Sequence, residues 1–189
     1  LIVGITGASG VAYGIRLLEV LQPTDIETHL VVSPTGKQTI KEETDVDLDH
    51  VRSLADVVHA SGDMGASISS GSFQTLGMVV APCSVRSLSE IAFGGASTLL
   101  TRAADVVLKE RRRLVLLVRE TPLRGQHLRA MVAAHEDGAI LMPPVPAYYT
   151  RPQTIDDIMD HTVGRVLDQF GLDHDLVHRW EGSRERPDR

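Results

Sequence analysis

The 189-residue chain predicts an α/β fold: a Rossmann-like or flavodoxin-like parallel sheet in a three-layer α/β/α sandwich. Short apolar runs alternate with amphipathic stretches along its length, the pattern of strand–helix–strand units joined by right-handed crossovers. The runs are β-branched or Leu-rich and almost continuously apolar, as parallel strands covered on both faces must be. The first run, Leu1-Ile2-Val3, leads straight into residues 4–14, "GITGASGVAYG", a strand entering a glycine-rich turn and then a helix.

Taken in order, the strands are expected at 1–5, 27–32, 78–81, 114–118 and 139–142. Helices are expected at 11–21, 35–44, 48–58, 87–93, 99–112, 123–135 and 154–170, the last opening with Thr154 and Asp157 at capping-box spacing. Residues 65–77, "GASISSGSFQTLG", read as a Gly/Ser-rich loop inside one domain spanning 1–189, not as a linker. The polar end at 181–189 reads as a loose tail.

Composition narrows the function classes. Hydrophobic residues at 42% and charged residues at 23% suit a globular core, and aromatics at 4% leave that core to Ala, Val, Leu and Ile. No apolar run approaches the roughly 18 residues of a membrane span, and no charged-then-apolar leader directs export. The chain starts without Met inside a strand, so a few leading residues are expected to be missing. The single cysteine, Cys83, permits no internal disulfide and fits a reducing cytosol. A net charge of −6 argues against a nucleic-acid binder. Yet eight of the nineteen Lys and Arg lie between Arg102 and Arg129, against three acids, a local zone suited to a small anion.

In open α/β sheets ligands bind beyond the carboxyl ends of the strands, at the switch point. The residues there are Gly7-Ala8-Ser9-Gly10, Ser33-Pro34, Pro82 to Ser87, and Arg119-Glu120, the last an Arg-Glu pair on the buried side. In the first turn, Gly7 and Gly10 let backbone amides approach an anion, with Ser9 adding a hydroxyl at a helix start. The plainer reading is a strand-to-helix turn with Ser9 as N-cap. Ser84, Arg86 and Ser87 repeat the arrangement, and Cys83 beside them reads as a small buried residue rather than a nucleophile.

Asp156, Asp157 and Asp160 spell D-D-x-x-D, a magnesium motif of all-helical isoprenoid synthases, but acids in a first helical turn are explained by the helix dipole. The eight histidines show no zinc spacing. The loop 143–152 carries four prolines that stiffen the placement of Tyr148 and Tyr149. Trp180 reads as an oligomer contact or a pocket wall.

Together, "GITGASG", "ETD" at 43–45, "PCS" at 82–84, "TRAADVVLKERR" at 101–112, "VRETP" at 118–122, "PPVPAYYTRPQ" at 143–153 and "HRW" at 178–180 resemble the UbiX-type flavin prenyltransferases. The resemblance covers nearly the whole chain in the same order. It departs at Pro34-Thr35-Gly36, where relatives often have Lys-Ala-Ala, and at "ERRR", where "ERRP" is common. It implies a cytoplasmic FMN-binding homo-dodecamer that transfers a dimethylallyl group from dimethylallyl monophosphate to reduced FMN without a metal. The product, prenylated FMN, serves UbiD-type decarboxylases in ubiquinone synthesis or aromatic acid decarboxylation.

Carried over by position, the resemblance implies flavin contacts at Gly7, Ala8, Ser9, Ser33, Ser84, Val85, Arg86, Ser87 and Arg119. It places Lys109, Tyr149 and Arg165 on the prenyl phosphate, with Arg102, Glu43, Glu120 and Trp180 lining the active site. Fixed donors then stabilise the departing phosphate. The flavin face and Trp180 stabilise the allylic cation. The new bonds form at flavin N5 and C6, with Glu43 and Glu120 handling protons and Ser9 relaying. Residues so scattered imply an active site straddling a subunit interface. Two alternatives remain open, a flavin-dependent cysteine decarboxylase of related fold and a non-enzymatic flavin carrier. The first lacks its P-A-S-A-N-T and P-x-M-N-x-x-M-W strings here.

Overall fold

A computed structural model describes residues 1–177 and Arg179. Six strands form one sheet: β1 (Ile2–Ile5), β2 (His29–Val32), β3 (Val57–His59), β4 (Gly77–Cys83), β5 (Arg113–Val118) and β6 (Ile140–Leu141). The helices are α1 (Ala12–Leu21), α2 (Pro34–Glu43), α3 (Leu48–Ser53), α4 (Val85–Ala92), α5 (Leu99–Lys109), α6 (Gly125–Glu136) and α7 (Ile155–Phe170). All pairings are parallel in the order β3-β2-β1-β4-β5-β6. The order reverses between β1 and β4, so the crevice at their carboxyl ends is where such a sheet opens.

Alternation along each strand divides the core in two. Ile2, Met78, Val80, Leu114 and Leu116 pack under α4, α5 and α6, while Val3, Ile5, Leu30, Val79 and Val115 pack under α1, α2, α3 and α7. Each large aliphatic side chain so buried contributes about 1.5–3 kcal/mol. The three-layer expectation therefore holds.

Three expected elements shift. The helix expected over 48–58 stops at Ser53, and Val57–His59 instead pairs with β2 as an edge strand. Asp56 makes the change of course: its carboxylate accepts the Thr28 amide at 2.7 Å and the Thr28 hydroxyl at 2.9 Å, drawing the chain to the sheet edge. The helix expected over 99–112 ends at Lys109, because Arg111 turns left-handed at φ 56°. The helix expected from 87 begins two residues earlier, with Ser84 as N-cap. Elsewhere the expected bounds hold within one or two residues, and Thr154 and Asp157 form the expected capping box. The expected loose tail at 181–189 lies outside the described residues.

The helix α1 lies unusually close to the sheet. A Cβ on Gly14 would sit 2.3 Å from the Ala81 carbonyl oxygen and 2.8 Å from Ile5 Cγ1, so only glycine admits this approach. Gly14→Ala is therefore expected to lower unfolding free energy by about 1–3 kcal/mol through overpacking. Gly62→Ala, where a Cβ meets nothing within 4 Å, is expected to leave the urea midpoint unchanged. Paired denaturation curves check both.

Candidate functional site

The crest of the sheet is shaped by β1 and β4. Thr6, 1% exposed, donates its hydroxyl hydrogen to the Pro82 carbonyl at 2.7 Å and accepts the Ser84 amide at 2.8 Å. Pro82 has no N–H to offer, and the β4–β5 register slips between Val80 and Cys83. The Thr6 amide also donates to the Pro82 carbonyl at 3.3 Å, so the side chain reinforces a backbone tie and extends it to Ser84.

A cleft opens beside this tie, lined by Ser33, Thr35, Ser84, Arg86, Ser87 and Thr101. The starts of α2 and α4 both face it. Ser33 caps α2 by accepting the Gly36 amide at 3.0 Å, with Pro34 at the first helical position. Ser84 caps α4 by accepting the Ser87 amide at 3.2 Å, and its hydroxyl donates to Ser87 Oγ at 3.1 Å. Two helix N-termini add positive potential. Arg86, 81% exposed, leans on Glu90 at 3.2 Å. Hydroxyls, helix starts and a guanidinium form a donor set fitted to a phosphate monoester, so the residues present fit the phosphate end of FMN. Gly7 completes the wall, since a Cβ there would stand 2.5 Å from Thr35.

The opening turn behaves differently from expectation. Val11, not Ser9, occupies the N-cap position of α1, and it makes no side-chain cap. Instead the Glu43 carboxylate crosses from the end of α2 and accepts the Gly10 amide at 2.7 Å and the Val11 amide at 3.3 Å. Partial burial pushes this carboxyl up. The Ser9 hydroxyl, the two amides and the charge of Arg119 outweigh that, and the net shift is downward. The anion seated on the first glycine turn is therefore the protein's own. The phosphate-type cleft is made instead by Ser33 and Ser84, past the ends of the two strands that flank β1.

Arg119 and Glu120 are both exposed, not on the buried side, because they stand past the last residue of β5 where no helix covers them. Glu120 accepts the Thr121 amide at 3.0 Å. Ala8 lies between Gly7 and Ser9 on the same crest, and Val85 opens α4. Cys83 is fully buried, and burial pushes its thiol up to about 12, so it is no nucleophile.

A second cluster gathers on α7. Arg165 donates to Asp168 at 2.6 Å, and Asp168 also takes Arg179 at 2.9 Å and His174 at 3.1 Å. Tyr149, on a 3-10 turn at Tyr148–Thr150, meets His161 Nε2 at 3.0 Å through its hydroxyl. Of the two tyrosines expected to be placed, Tyr148 projects outward at 78% exposure. His161 was not distinguished by spacing from the other histidines; its contact depends on the loop 143–152 folding back over α7.

Lys109 is not with Tyr149 and Arg165 in a single chain. It ends α5, which packs on the opposite face of the sheet from α7, and it pairs with Glu110 against Gly71. Arg102 on the same helix bonds Asp105 at 2.7 Å and the Ser69 carbonyl at 3.3 Å. Arg112 holds the carbonyls of Phe73 at 2.6 Å and Gly71 at 2.7 Å. Part of the basic zone thus clamps the Gly/Ser-rich loop. Arg113, at the departure from "ERRP", sets its guanidinium 6.0 Å from the Phe170 ring centroid. Two of the D-D-x-x-D acids are structural: the Asp157 carboxylate accepts the Thr154 amide at 2.9 Å, closing the α7 capping box, and Asp160 binds Arg16 at 2.7 Å. Trp180 lies outside the described residues, as does most of "HRW".

Residues 1–167 match the sequence family described as Flavoprotein. The chain is 62% identical over 186 residues to the flavin prenyltransferase UbiX of Escherichia coli (strain K12), covering 97% of this chain and 98% of that protein. A crystal structure of AnUbiX (PadA1) in complex with FMN and dimethylallyl pyrophosphate matches with a TM-score of 0.95 at 49% identity, over 97% of each chain. The dodecameric FMN-dependent UbiX-like decarboxylase from Escherichia coli O157:H7 matches with a TM-score of 0.93 at 51% identity, over 96% of this chain and 98% of that one.

Removing the charge that Glu43 places on α1 has a signed pH dependence. A depressed folded-state pKa stabilises in full above the unfolded value, near 4.5, and the gain is lost as pH falls through the folded value. Glu43→Gln is expected to cost about 0.5–1 kcal/mol at pH 7, modest because the group is exposed. The difference from wild type should narrow as pH falls below the unfolded value, as chemical denaturation across pH will read.

Proposed function

Because the chain belongs to the flavoprotein family and, within it, to the flavin prenyltransferases, we propose that it transfers a dimethylallyl group from dimethylallyl monophosphate to N5 and C6 of reduced FMN without a metal. What supports this reading is the presence of two donor groups suited to anions: the cleft at Ser33, Ser84, Arg86 and Ser87, and, on α7, Arg165 one turn from the His161 that meets Tyr149. A reaction that holds one phosphate while expelling another needs both.

The cleft holds the flavin phosphate, with Gly7, Ala8 and Val85 bringing backbone close to it. When bound, reduced FMN supplies the electron-rich ring that takes the allyl group. Tyr149 and Arg165 grip the departing phosphate with charge-assisted donors where negative charge grows. Arg102 and Lys109 reach that phosphate from a neighbouring copy, since the sheet separates Lys109 from α7 in one chain. Glu43, held as a carboxylate, accepts a proton through Ser9 rather than donating one, with Arg119 beside it. Glu120 is the second proton carrier.

A homo-dodecamer with composite sites follows. The large apolar side chains that the chain exposes, among them Phe93, Val145, Tyr148 and Ile155, support it. The whole chain acts as one domain in the cytosol, which the unpaired Cys83 thiol fits. Its product passes to a UbiD-type decarboxylase.

The test is a mass spectrum of the flavin after reduced holoprotein meets dimethylallyl monophosphate, or the pyrophosphate, in excess chelator. A flavin heavier by one isoprenoid unit is expected with the monophosphate, and an unchanged flavin overturns the reading. Ser84→Ala is expected to weaken FMN binding about three- to tenfold, measured by fluorescence titration. Arg165→Ala should leave FMN affinity intact while raising KM for the prenyl phosphate at least tenfold.

A further inference from the structure

We propose that His161 is a positioning residue that holds the Tyr149 phenol and stores the proton Tyr149 passes to the departing phosphate. The inference rests on the prenyl-transfer reading and assigns that reaction a residue that the family resemblance does not supply.

The geometry is specific. His161 Nε2 stands 3.0 Å from the Tyr149 hydroxyl, and the two rings meet edge-on at 84° with centroids 5.7 Å apart. The turn carrying Tyr149 is fixed by the Thr150 hydroxyl on the Ala147 carbonyl at 2.7 Å and by the Arg151 amide on the Tyr148 carbonyl at 3.0 Å. His161 and Arg165 are four residues apart on α7, so imidazole and guanidinium rise from one helix face. An anion engaged by Tyr149 and Arg165 therefore has the imidazole directly behind the phenol.

The chemistry needs such a store. A dimethylallyl monophosphate dianion that loses its alkyl group without a proton leaves as a trianion, a poor leaving group. A phenol gives up its proton readily only if another replaces it. In the proposed step the allylic C–O bond breaks and its electron pair stays on the phosphate oxygen. The phenol proton moves to that oxygen, the imidazolium Nε2–H proton moves to the phenol oxygen, and hydrogen phosphate dianion departs from neutral His161.

Without an anion, burial holds His161 below the ordinary histidine value and the charge of Arg165 adds to this, with Asp168 opposing. A docked dianion reverses the balance, so proton uptake accompanies substrate binding. Other titratable or charged groups lie near this face: Asp157, one turn before His161 on α7, has its carboxylate on the Gln153 and Thr154 amides. Tyr149 approaches from the turn, Asp160 on α7 is held by Arg16 of α1, and Tyr13 of α1 hydrogen-bonds Thr162.

Two variants separate the roles. His161→Gln keeps a donor near the Nε2 position without titrating, and His161→Leu keeps neither function. The His161 Cε1–H resonance of the FMN-loaded protein, assigned by its loss in H161Q, is expected to titrate at higher pH when inorganic phosphate is added. Wild-type kcat should fall as pH rises through that phosphate-bound value. H161Q should lose about ten- to a hundredfold in kcat, show no such limb, and keep KM for dimethylallyl monophosphate within about threefold. H161L should in addition raise that KM about three- to tenfold. Wild-type kcat and pH profile in H161Q, or no phosphate-linked shift of the resonance, overturns the proposal. If the wild-type protein makes no prenylated flavin, the prenyl-transfer reading falls, and the resonance still decides whether His161 answers to an anion.

Discussion

The tie made by Thr6 between β1 and β4 governs the architecture of the crest. At a switch point the loops from neighbouring strands leave in opposite directions, which tends to splay the strand ends apart. Here the splay is checked by Thr6, whose amide and buried hydroxyl both donate to the Pro82 carbonyl and whose hydroxyl oxygen accepts the Ser84 amide. Each such bond is worth about 1 kcal/mol net, and leaving a buried partner unmade costs more. With Ser84 held there, the start of α4 is fixed relative to the turn above β1. Gly7 against Thr35 then fixes the start of α2 relative to both. The cleft is the space these contacts leave.

Charge is arranged on the same principle of holding without locking. Arg86 leans on Glu90, Arg102 on Asp105, Lys109 on Glu110 and Arg165 on Asp168, each cation partnered by an acid of its own or the adjoining turn. Partly exposed pairs of this kind contribute little to stability. Their use is to orient long side chains that would otherwise roam, while water keeps the pairing weak enough for a phosphate dianion to compete. An acidic protein can thus handle two phosphates without a broad basic surface.

Much of this was legible in the sequence, for physical reasons. Continuous apolar runs are compulsory for buried parallel strands, and Thr154 with Asp157 announced the start of α7. The misreadings share a cause. Val57 and Val58 extend an amphipathic pattern as well as they fill an edge strand, and only the distant Thr28–Asp56 bonds decide between them. Glu43 is separated from Gly10 by α1, β2 and the length of α2, so nothing local showed that its carboxylate would fill the first turn. Lys109 carries a motif match but belongs to the far face of the sheet, a matter of topology rather than of spacing.

That resident carboxylate on the first turn has a consequence for traffic. A ring of backbone amides left open beside the reaction centre would retain any small oxyanion released nearby, and turnover would slow as product accumulated. With Glu43 already seated there, the amides are spoken for and their surroundings repel a second negative group. Under the proposed reaction, spent phosphate is thereby denied a resting place on that side and is left to diffuse outward.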